Sequence, residues 1–398
     1  MNKTDVKIRP IAIYLPQFHP IPENDQWWGK GFTEWTNVTK AKPLFKGHHQ
    51  PHLPADLGFY DLRLPDVRAA QAALAAEHGI YGFCYYHYWF NGKRILERPF
   101  QEVFECGEPA LPFMLCWANE NWSRRWDGSE AEILIKQIHS DEDDLAHIQS
   151  LIPYFKDERY IKVDGKPVFA IYKSFLLPEV ANTIKIWRTE ALKHGIELYL
   201  CRFESFGNYG KEYVDKGFDA AIEFQPFSKI LDGYINLVRP PVPPPGLLKR
   251  GVRKLLREGK KMFPYFDPEN SVGNDKLKKL DYVEFVNYLI KTKSFTNNYV
   301  LYPGATPSWD NTARRGNKSF YFINANPTKF KEWLSFICKN FVPPTKDENF
   351  VFINAWNEWA EGCHLEPCQQ WGTAYLCATK EIFKIKPAVQ IDEVVVVK

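Results

Sequence analysis

Short apolar runs rich in β-branched and aromatic residues alternate along the chain with longer segments of helical periodicity. Each run has the length of a strand, and a helical segment separates most successive runs. This alternation predicts parallel strand–helix units. The strands are predicted at residues 11–15, 81–86, 112–117, 168–172, 197–203, 220–224, 299–302 and 350–355, and the main helices at residues 66–78, 141–155, 180–194, 282–290, 328–340 and 374–383.

Eight such units, spread almost evenly over 398 residues, predict an α/β fold of the (β/α)8 TIM-barrel type. The alternative is a pair of Rossmann-like domains, but no GxGxxG motif follows the first strand. Residues 8–385 are predicted to form one catalytic domain, and residues 386–398 a C-terminal tail. Two segments interrupt the repeat, namely a long first βα loop at residues 25–61 and a Pro-rich, basic insertion at residues 239–280 between strands six and seven.

Polar and aromatic residues follow nearly every predicted strand. In (β/α)8 enzymes the loops at the carboxyl ends of the strands build the active site, and a barrel without a pocket would not require polar groups there. Strands five and six run into Arg202, Glu204, Glu223 and Gln225. The residues predicted to bind a substrate are Gln17, His19, Tyr86, His87, Trp89, Asn119, Glu120, Asn121, Trp122, Arg124, Arg125, Trp309, Asp310, Arg314, Arg315, Asn357 and Trp359.

The segment FINAWNEWAEG after the last strand carries two carboxylates three positions apart, Glu358 and Glu361. Breaking or forming a glycosidic bond needs a proton donor at the departing oxygen and a second carboxylate at the anomeric centre. Partial burial and mutual repulsion would raise the pKa of one carboxyl and leave the other ionised, which would divide the acid and base roles. We predict that both are catalytic. The alternative is that one of them has a structural role.

Two arginine pairs, Arg124-Arg125 and Arg314-Arg315, fall in loops on the same predicted face. Guanidinium groups suit phosphate or carboxylate oxygens, so these pairs could stabilise a phosphate leaving group. Surface salt bridges are the alternative. The predicted hydroxyl contacts of His19 and His87 have a similar alternative, a hydrogen-bonded structural histidine.

The amino-acid composition narrows the classes of binding partner to be expected. A net charge of +3 with 25% charged residues gives no reason to expect nucleic-acid binding. The 13 Trp, many of them beside polar residues, favour a carbohydrate partner whose ring faces stack on indoles, although core packing would also use them. Cys363, His364 and Cys368 lack further ligands at the usual spacing, so we predict no metal and no other cofactor.

The first 20 residues lack the apolar core of a signal peptide, and no run of about 18 apolar residues occurs. The eight Cys show no disulfide spacing. These features predict a cytoplasmic protein. Residues 247–263 carry seven Lys or Arg against Glu258 on an amphipathic pattern, which would allow peripheral contact with the inner membrane. A solvated helix packed on the barrel explains them equally well.

Five blocks of the sequence resemble the WbsX family over roughly residues 8–385. The blocks are IAIYLPQFHPIPENDQWWGKGFTEWTNV, YGFCYYHYWFNGKRILERP, LCWANENWSRRWDG, PGATPSWDNTARRG and INAWNEWAEGCHLEP. That family is labelled glycosyltransferase and is associated with loci for O-antigen, a part of lipopolysaccharide, and for other surface polysaccharides. It is in turn similar to glycoside hydrolase family 99, retaining endo-α-mannosidases with a (β/α)8 barrel.

In those hydrolases the motif Asn-Glu-Trp-x-Glu-Gly carries both catalytic carboxylates. The resemblance implies that Glu358 removes the proton of a sugar 2-hydroxyl, giving a 1,2-anhydro intermediate, and that Glu361 acts first as acid and then as base. The other blocks differ from the hydrolases, so no further residue role is carried over.

Three functions remain after these observations. The leading hypothesis is a retaining glycosyltransferase of surface-polysaccharide biosynthesis, which would use a sugar donor and a glycan acceptor that could be lipid-linked. A barrel is not the usual nucleotide-sugar transferase fold, which counts against it. The second hypothesis is a retaining endo-glycosidase of α-linked glycans. The third, a carbohydrate-binding barrel without activity, conflicts with the intact Glu358–Glu361 pair.

Overall fold

A computed structural model of the protein describes residues 7–124, 129–238 and 279–383. The eight predicted strands are all present, each within a few residues of its predicted bounds. They are Arg9–Tyr14, Gly82–Phe90, Phe113–Trp117, Lys166–Ile171, Tyr199–Glu204, Ala220–Glu223, Leu301–Tyr302 continued by Gly304–Ala305, and Phe350–Ile353. We number these barrel strands one to eight along the chain.

The strands pair in parallel and in sequence order, and the first pairs with the eighth. The seventh strand closes the ring in two pieces. Leu301 pairs with Ala221 of strand six, whereas Gly304 pairs with Phe352 of strand eight. Pro303 lies between the pieces, and its carbonyl oxygen accepts a hydrogen bond of 3.0 Å from the nitrogen of Phe352. Proline lacks an N–H donor, so strand seven turns from one neighbour to the other at this residue. The predicted (β/α)8 barrel is confirmed.

Helices surround the barrel because their apolar faces pack on the outward-facing strand residues. The local sequence explains where helix Asp141–Phe155 begins. The Ser140 side chain caps the helix by accepting a hydrogen bond from the nitrogen of Asp143, and acidic residues fill the first turn. The longer helices are Pro65–Glu77, Arg98–Cys106, Asp141–Phe155, Val180–Lys193, Lys229–Val238, Tyr282–Thr292, Pro327–Asn340 and Ala374–Phe383.

Short elements in the loops after the strands shape the face where a site is expected. The first loop carries helices Pro22–Trp28 and Glu34–Lys40. After strand three a hairpin pairs Trp122–Arg124 with Ser129–Ile135, and after strand eight Asn357–Glu358 pairs with Cys363–His364. A short helix, Thr312–Arg315, follows strand seven.

Several predictions fall on other parts of the chain. Residues 239–278, with the basic segment 247–263, and residues 386–398 lie outside the described residues, so the membrane contact stays a prediction. Among the helices that the structure describes, none combines the length and apolar character needed to cross a bilayer.

Replacing Gly304 with alanine should destabilise the barrel at its point of closure. An added Cβ would lie 2.2 Å from the carbonyl oxygen of Glu223, a backbone atom that cannot move without its strand. We expect a loss on the order of 2 kcal/mol in the free energy of unfolding, measured by chemical denaturation.

Gly233→Ala is the matched control, because the new Cβ would meet only the side chain of Tyr288, which can move. This residue lies within helix Lys229–Val238, where alanine is the better helix former. Wild-type stability in Gly304→Ala would contradict the close approach of strands six and seven.

Candidate active site

A cavity of about 520 Å³ opens at the carboxyl ends of the barrel strands. Every barrel strand contributes to its wall, through the strand end or the loop that follows. Its size is within the range of small-molecule sites. The lining residues are Leu15, Gln17, Tyr86, Tyr88, Phe90, Ala118, Glu120, Asn121, Trp122, Ser123, Tyr172, Lys173, Phe175, Phe206, Gly207, Asn208, Phe224, Phe227, Trp309, Asn311, Arg314, Arg315, Glu358 and Glu361.

The hairpin after strand eight brings Glu358 and Glu361 to the same cavity. A single 3-10 turn, Trp359–Glu361, separates the two hairpin strands, and Gly362 reverses the chain at a positive φ of 60°. A Cβ at Gly362 would lie 2.8 Å from Cβ of Asp310, so glycine is needed both for the turn and for the packing. The Asp310 nitrogen donates to the carbonyl oxygen of Glu361 at 2.6 Å, which fixes this hairpin to the loop after strand seven.

One guanidinium joins the two glutamates. Arg314 Nη2 lies 3.0 Å from Glu358 Oε2, and its Nη1 lies 2.6 Å from Glu361 Oε1. The side chain of Glu358 is 7% exposed and that of Glu361 is 17% exposed. The two carboxylates therefore converge at the wall of the cavity, with the Glu361 carboxyl more open to solvent.

A third carboxylate, Glu34, binds the same arginine. Its Oε1 lies 2.7 Å from Arg314 Nε, and its side chain has no solvent exposure. The Glu34 nitrogen donates to the carbonyl oxygen of Gln17 at 3.0 Å, so the first loop is attached to the end of strand one beside the cavity. The three carboxylates raise the pKa of Arg314 well above its usual value although burial lowers it, and the guanidinium stays charged.

Burial raises the pKa of Glu358 to about 7. The positive charge of Arg314 opposes this shift, and the negative charge of Glu34 adds to it. A carboxyl with a pKa near neutrality can exchange a proton at physiological pH, as a general acid or base requires.

The structure brings ten of the predicted residues together around the cavity. Gln17 Nε2 donates to the Tyr88 hydroxyl at 3.0 Å, and the Tyr88 ring stacks on Trp122 with the ring centroids 5.3 Å apart. The predicted residues that line the cavity are Gln17, Tyr86, Glu120, Asn121, Trp122, Trp309, Arg314, Arg315, Glu358 and Glu361.

Two predicted contacts on strand two point away from the cavity, toward the helix layer. His87 Nε2 lies 3.0 Å from His147 Nε2, and Trp89 Nε1 donates to Asp143 Oδ1 at 2.9 Å. Both partners belong to helix Asp141–Phe155. Side chains alternate between the two faces of a strand, so Tyr86, Tyr88 and Phe90 face the cavity while His87 and Trp89 cannot. Burial lowers the pKa of His87 to about 3, which keeps its imidazole neutral.

Two predicted asparagines bind backbone instead of the cavity. Asn119 Nδ2 donates to the Lys173 carbonyl oxygen at 2.9 Å, and Asn119 Oδ1 accepts from the nitrogen of Lys173 at 2.8 Å. Asn357 forms a similar pair of bonds with the backbone of Leu15, at 2.8 and 3.0 Å. These amides tie neighbouring strand ends together, because one side chain can replace both backbone groups of a ladder partner.

Three further predicted residues, Trp359, Asp310 and His19, are buried outside the lining. Trp359 is 1% exposed and donates to Glu366 Oε2 at 2.7 Å, so its indole is not open for stacking on a sugar. Asp310 Oδ2 lies 2.7 Å from His48 Nε2. His19 is buried, and burial lowers its pKa to about 4. Arg124 ends its hairpin strand, and Arg125 lies outside the described residues.

The polar ends of strands five and six form structural ion pairs. Arg202 Nη1 lies 3.2 Å from Glu204 Oε1, and Lys293 Nζ contacts Glu223. All four side chains are at most 10% exposed, and none of them lines the cavity. The expectation that polar strand ends point into one pocket is therefore wrong for these two strands.

Several residues of the site escaped the sequence reasoning, among them Glu34, Tyr88 and Lys173. Glu34 lies in a block already quoted for its family resemblance, but nothing in its spacing links it to Arg314. Tyr88 would have followed from strict alternation after Tyr86. Lys173 is the second residue after strand four, where the strand-end rule could have found it. Its Nζ lies 2.6 Å from Glu120 Oε1 at the cavity wall.

The residues that could suggest a metal site have other contacts. His364 Nε2 lies 3.1 Å from His52 Nδ1, and its ring stacks on Trp359 with the centroids 3.8 Å apart. Cys363 and Cys368 are buried free thiols. Within the three described ranges, no group of three or more His, Cys, Asp or Glu is arranged to hold a metal ion.

Two curated relatives match nearly the whole chain. They are uncharacterized proteins named WxcX from two strains of Xanthomonas campestris pv. campestris, ATCC 33913 and B100, with 42% and 41% identity over 384 residues. The match covers 96% of this chain and 50% of each relative. The chain thus spans about half the length of the curated relatives it matches.

Solved structures with the same fold share little sequence. A glycoside hydrolase-like protein matches with a TM-score of 0.56 and 15% identity, over 96% of both chains. A GH99 endo-α-mannosidase from Bacteroides thetaiotaomicron matches with TM-scores of 0.54, for its complex with bis-tris-propane, and 0.52, at 12% and 13% identity. Each of these two matches covers 94% of this chain and 96% of the other. At such identity the likeness establishes the barrel fold.

A family model described as glycosyltransferase WbsX matches residues 10–379. The matched range includes every described residue of the cavity lining. It also includes all eight barrel strands, apart from the first residue of strand one. The match extends over most of the chain and agrees with the five sequence blocks. The chain therefore belongs to the glycosyltransferase WbsX family.

Proposed function

We propose that the chain is a retaining carbohydrate-active enzyme in which Glu358 and Glu361 act on one glycosidic bond. The observation that carries this proposal is the convergence of the two carboxylates on Arg314 at the wall of a closed-barrel cavity. A pair of carboxyl groups facing one substrate site is the arrangement that glycosidic chemistry requires. The family to which the chain belongs supports the same class of reaction.

The two carboxyls have environments that suit different roles. Glu358 is more buried, and its raised pKa makes it the stronger base when it is ionised. We assign it to remove the proton of the sugar 2-hydroxyl, whose oxygen attacks the anomeric carbon as the glycosidic bond breaks. Glu361 is more exposed, and Asn311 Nδ2 lies 3.3 Å from its Oε1. We assign it to protonate the departing oxygen.

The second half of the reaction returns both protons. Glu361, now ionised, takes a proton from the incoming hydroxyl, which attacks the anomeric carbon and opens the 1,2-anhydro ring. The sugar oxygen O2 recovers its proton from Glu358. Two inversions at one carbon give net retention. An acceptor hydroxyl would yield transfer, and water would yield hydrolysis.

Aromatic and amide side chains supply the rest of a sugar site. Trp122 and Tyr88 form one wall of the cavity, and Phe227 and Trp309, with ring centroids 4.7 Å apart, form another. Aromatic faces can stack on the C–H faces of a pyranose. Gln17, Asn121 and Asn208 lie among them and offer hydrogen bonds to hydroxyl groups.

We favour transfer to a glycan acceptor of surface-polysaccharide biosynthesis, such as an O-antigen intermediate, because the family is described as glycosyltransferase. The likeness of the barrel to a GH99 endo-α-mannosidase favours the second candidate, a retaining endo-glycosidase. The sequence left open whether Arg314 binds a phosphate leaving group or forms salt bridges, and three of its donors bind carboxylates. Arg315 and Lys173 are the other cations of the described lining, so they would have to bind a phosphate leaving group.

The reaction type is tested by two parallel incubations of the protein. One contains nucleotide sugars with lipid-linked glycan acceptors, and the other contains α-linked oligosaccharides. Acceptor-dependent release of nucleotide is expected for a transferase, whereas new reducing ends would establish the hydrolase. Retention is read from the anomeric proton of the first product by NMR. An inverted product would contradict the proposed mechanism in either case.

Glu358→Gln and Glu361→Gln should each lower turnover by at least about 100-fold, because general acid–base catalysis contributes on this scale. Glu332→Gln changes the same charge on the exposed side of helix Pro327–Asn340 and serves as the control. Thermal denaturation of each variant checks that it folds. Full activity in either catalytic variant would remove its assigned role.

The acidic limb of kcat/KM should lie near pH 7, because Glu358 must lose its proton to act as base and burial raises its pKa to about that value. Below this pH the protonated form predominates and the rate falls. At higher pH the rate should fall again once Glu361 has lost the proton that it donates. The measurement is a profile of kcat/KM between pH 5 and pH 9, a range of about two units on either side of the expected midpoint. A profile that stays flat down to pH 5 would show that Glu358 keeps an ordinary pKa or is not the base.

A further inference from the structure

Arg314 connects three acidic side chains from separate parts of the chain. We propose that Arg314, anchored by Glu34, is a positioning residue. It holds Glu358 and Glu361 on the two terminal nitrogens of one guanidinium and controls which carboxyl carries the proton. This inference rests on the proposed function, because it takes both glutamates to be the reacting acids.

The contact geometry gives Arg314 this role. Its Nε binds Glu34 at 2.7 Å, and each terminal nitrogen binds a different catalytic carboxylate, at 3.0 and 2.6 Å. A guanidinium is planar, and its donors point in fixed directions. Once Nε is bound to Glu34, the directions of both terminal nitrogens are determined. The two carboxylates are then held at a fixed separation before a substrate enters.

Glu34 is costly to bury, which suggests that it has a role beyond packing. Its side chain has no exposed surface, and its Oε2 has no hydrogen-bond partner among the described residues. Its Oε1 binds Arg314 and also accepts from Asn37 Nδ2 at 3.3 Å. A buried carboxylate with one unsatisfied oxygen destabilises a fold unless a charge partner compensates. Holding Arg314 gives Glu34 that partner.

The charges of the cluster explain how it divides the acid and base roles. Three ionised carboxylates against one guanidinium would leave two net negative charges in a poorly hydrated site. Retaining one proton reduces this repulsion. Since both reacting carboxyls touch Arg314, the proton can reside on one while the guanidinium neutralises the other. The reaction needs this state, with one acid and one base present together.

The charged and titratable groups around Glu358 come from four elements. Arg314 and Arg315 come from the helix after strand seven, and Glu34 comes from the first loop. Strand two contributes Tyr86 and Tyr88, whose raised pKa values keep them neutral. The strand-eight hairpin contributes Glu361 and the buried Cys363. Arg314 and Glu34 are the two partners whose charges act most strongly on the pKa of Glu358, and they act in opposite directions.

The test is to measure the Glu358 titration directly, without substrate. The full chain is labelled with ¹³C at the glutamate side-chain carboxyls, and the Glu358 signal is assigned by its loss in Glu358→Gln. Arg314→Gln should raise the pKa of Glu358, and Glu34→Gln should lower it, each by about one unit or more. Arg314→Lys keeps the charge and should stay closer to wild type than Arg314→Gln. The acidic limb of kcat/KM should move in the same directions.

Glu366→Gln is the matched control. Glu366 is a buried glutamate that follows the same hairpin, but its bonds go to Tyr60, Gln71 and Trp359. It should leave the Glu358 titration unchanged. Unchanged titration in both Arg314→Gln and Glu34→Gln, or shifts in the same direction, would overturn the proposal. Should Arg314→Gln fail to fold, the Glu358 titrations of Glu34→Gln and Arg314→Lys still test the proposal.

The titration also separates this inference from the proposed function. Opposite shifts in a protein that turns over no glycoside would mean that the cluster is electrostatically coupled but that the enzymatic assignment fails. Turnover that depends on both glutamates, with no shift in either variant, would leave the enzyme in place and remove the role of Arg314 and Glu34.

Discussion

The ion cluster around Arg314 is the interaction on which the candidate site depends. It places one guanidinium among three carboxylates that come from the first loop and from the hairpin after strand eight, while the arginine itself follows strand seven. Like charges so close together repel, and burial strengthens that repulsion. The cluster is stable only because the cation is held at its centre. In our proposal the same arrangement lets one of the two acids at the cavity wall keep its proton while the other is ionised.

Closure of the barrel makes this cluster possible. Strand seven reaches strand six before Pro303 and strand eight after it, so the loops after strands seven and eight emerge side by side. Gly362 then allows the last hairpin to approach Asp310, within a distance that a Cβ would obstruct. Residues that lie far apart in sequence, such as Glu34 and Arg314, come together because the first strand completes the ring beside the eighth.

Transfer and hydrolysis would use the same chemistry in this cavity. Both need a base near O2 of the sugar and an acid at the departing oxygen, and they differ only in the molecule that attacks afterwards. The aromatic walls and amide groups suit a glycan in either case. Which molecule reaches the anomeric carbon therefore decides between transfer and hydrolysis. The curated relatives have about as much sequence again beyond the region that matches this chain.

The sequence alone determined the order and type of the elements, because periodicity two and periodicity 3.6 are local properties of the chain. It also predicted that Glu358 and Glu361 share one site, because their spacing after a strand is a local signal, and both line the cavity. It could not determine which strand-end residues face the cavity. His87 and Trp89 contact a helix because strand two presents Tyr86 and Tyr88 inward, and Arg314 binds carboxylates that only the closed barrel brings near. Side-chain direction and long-range charge pairing are set by tertiary packing, which no stretch of sequence contains by itself.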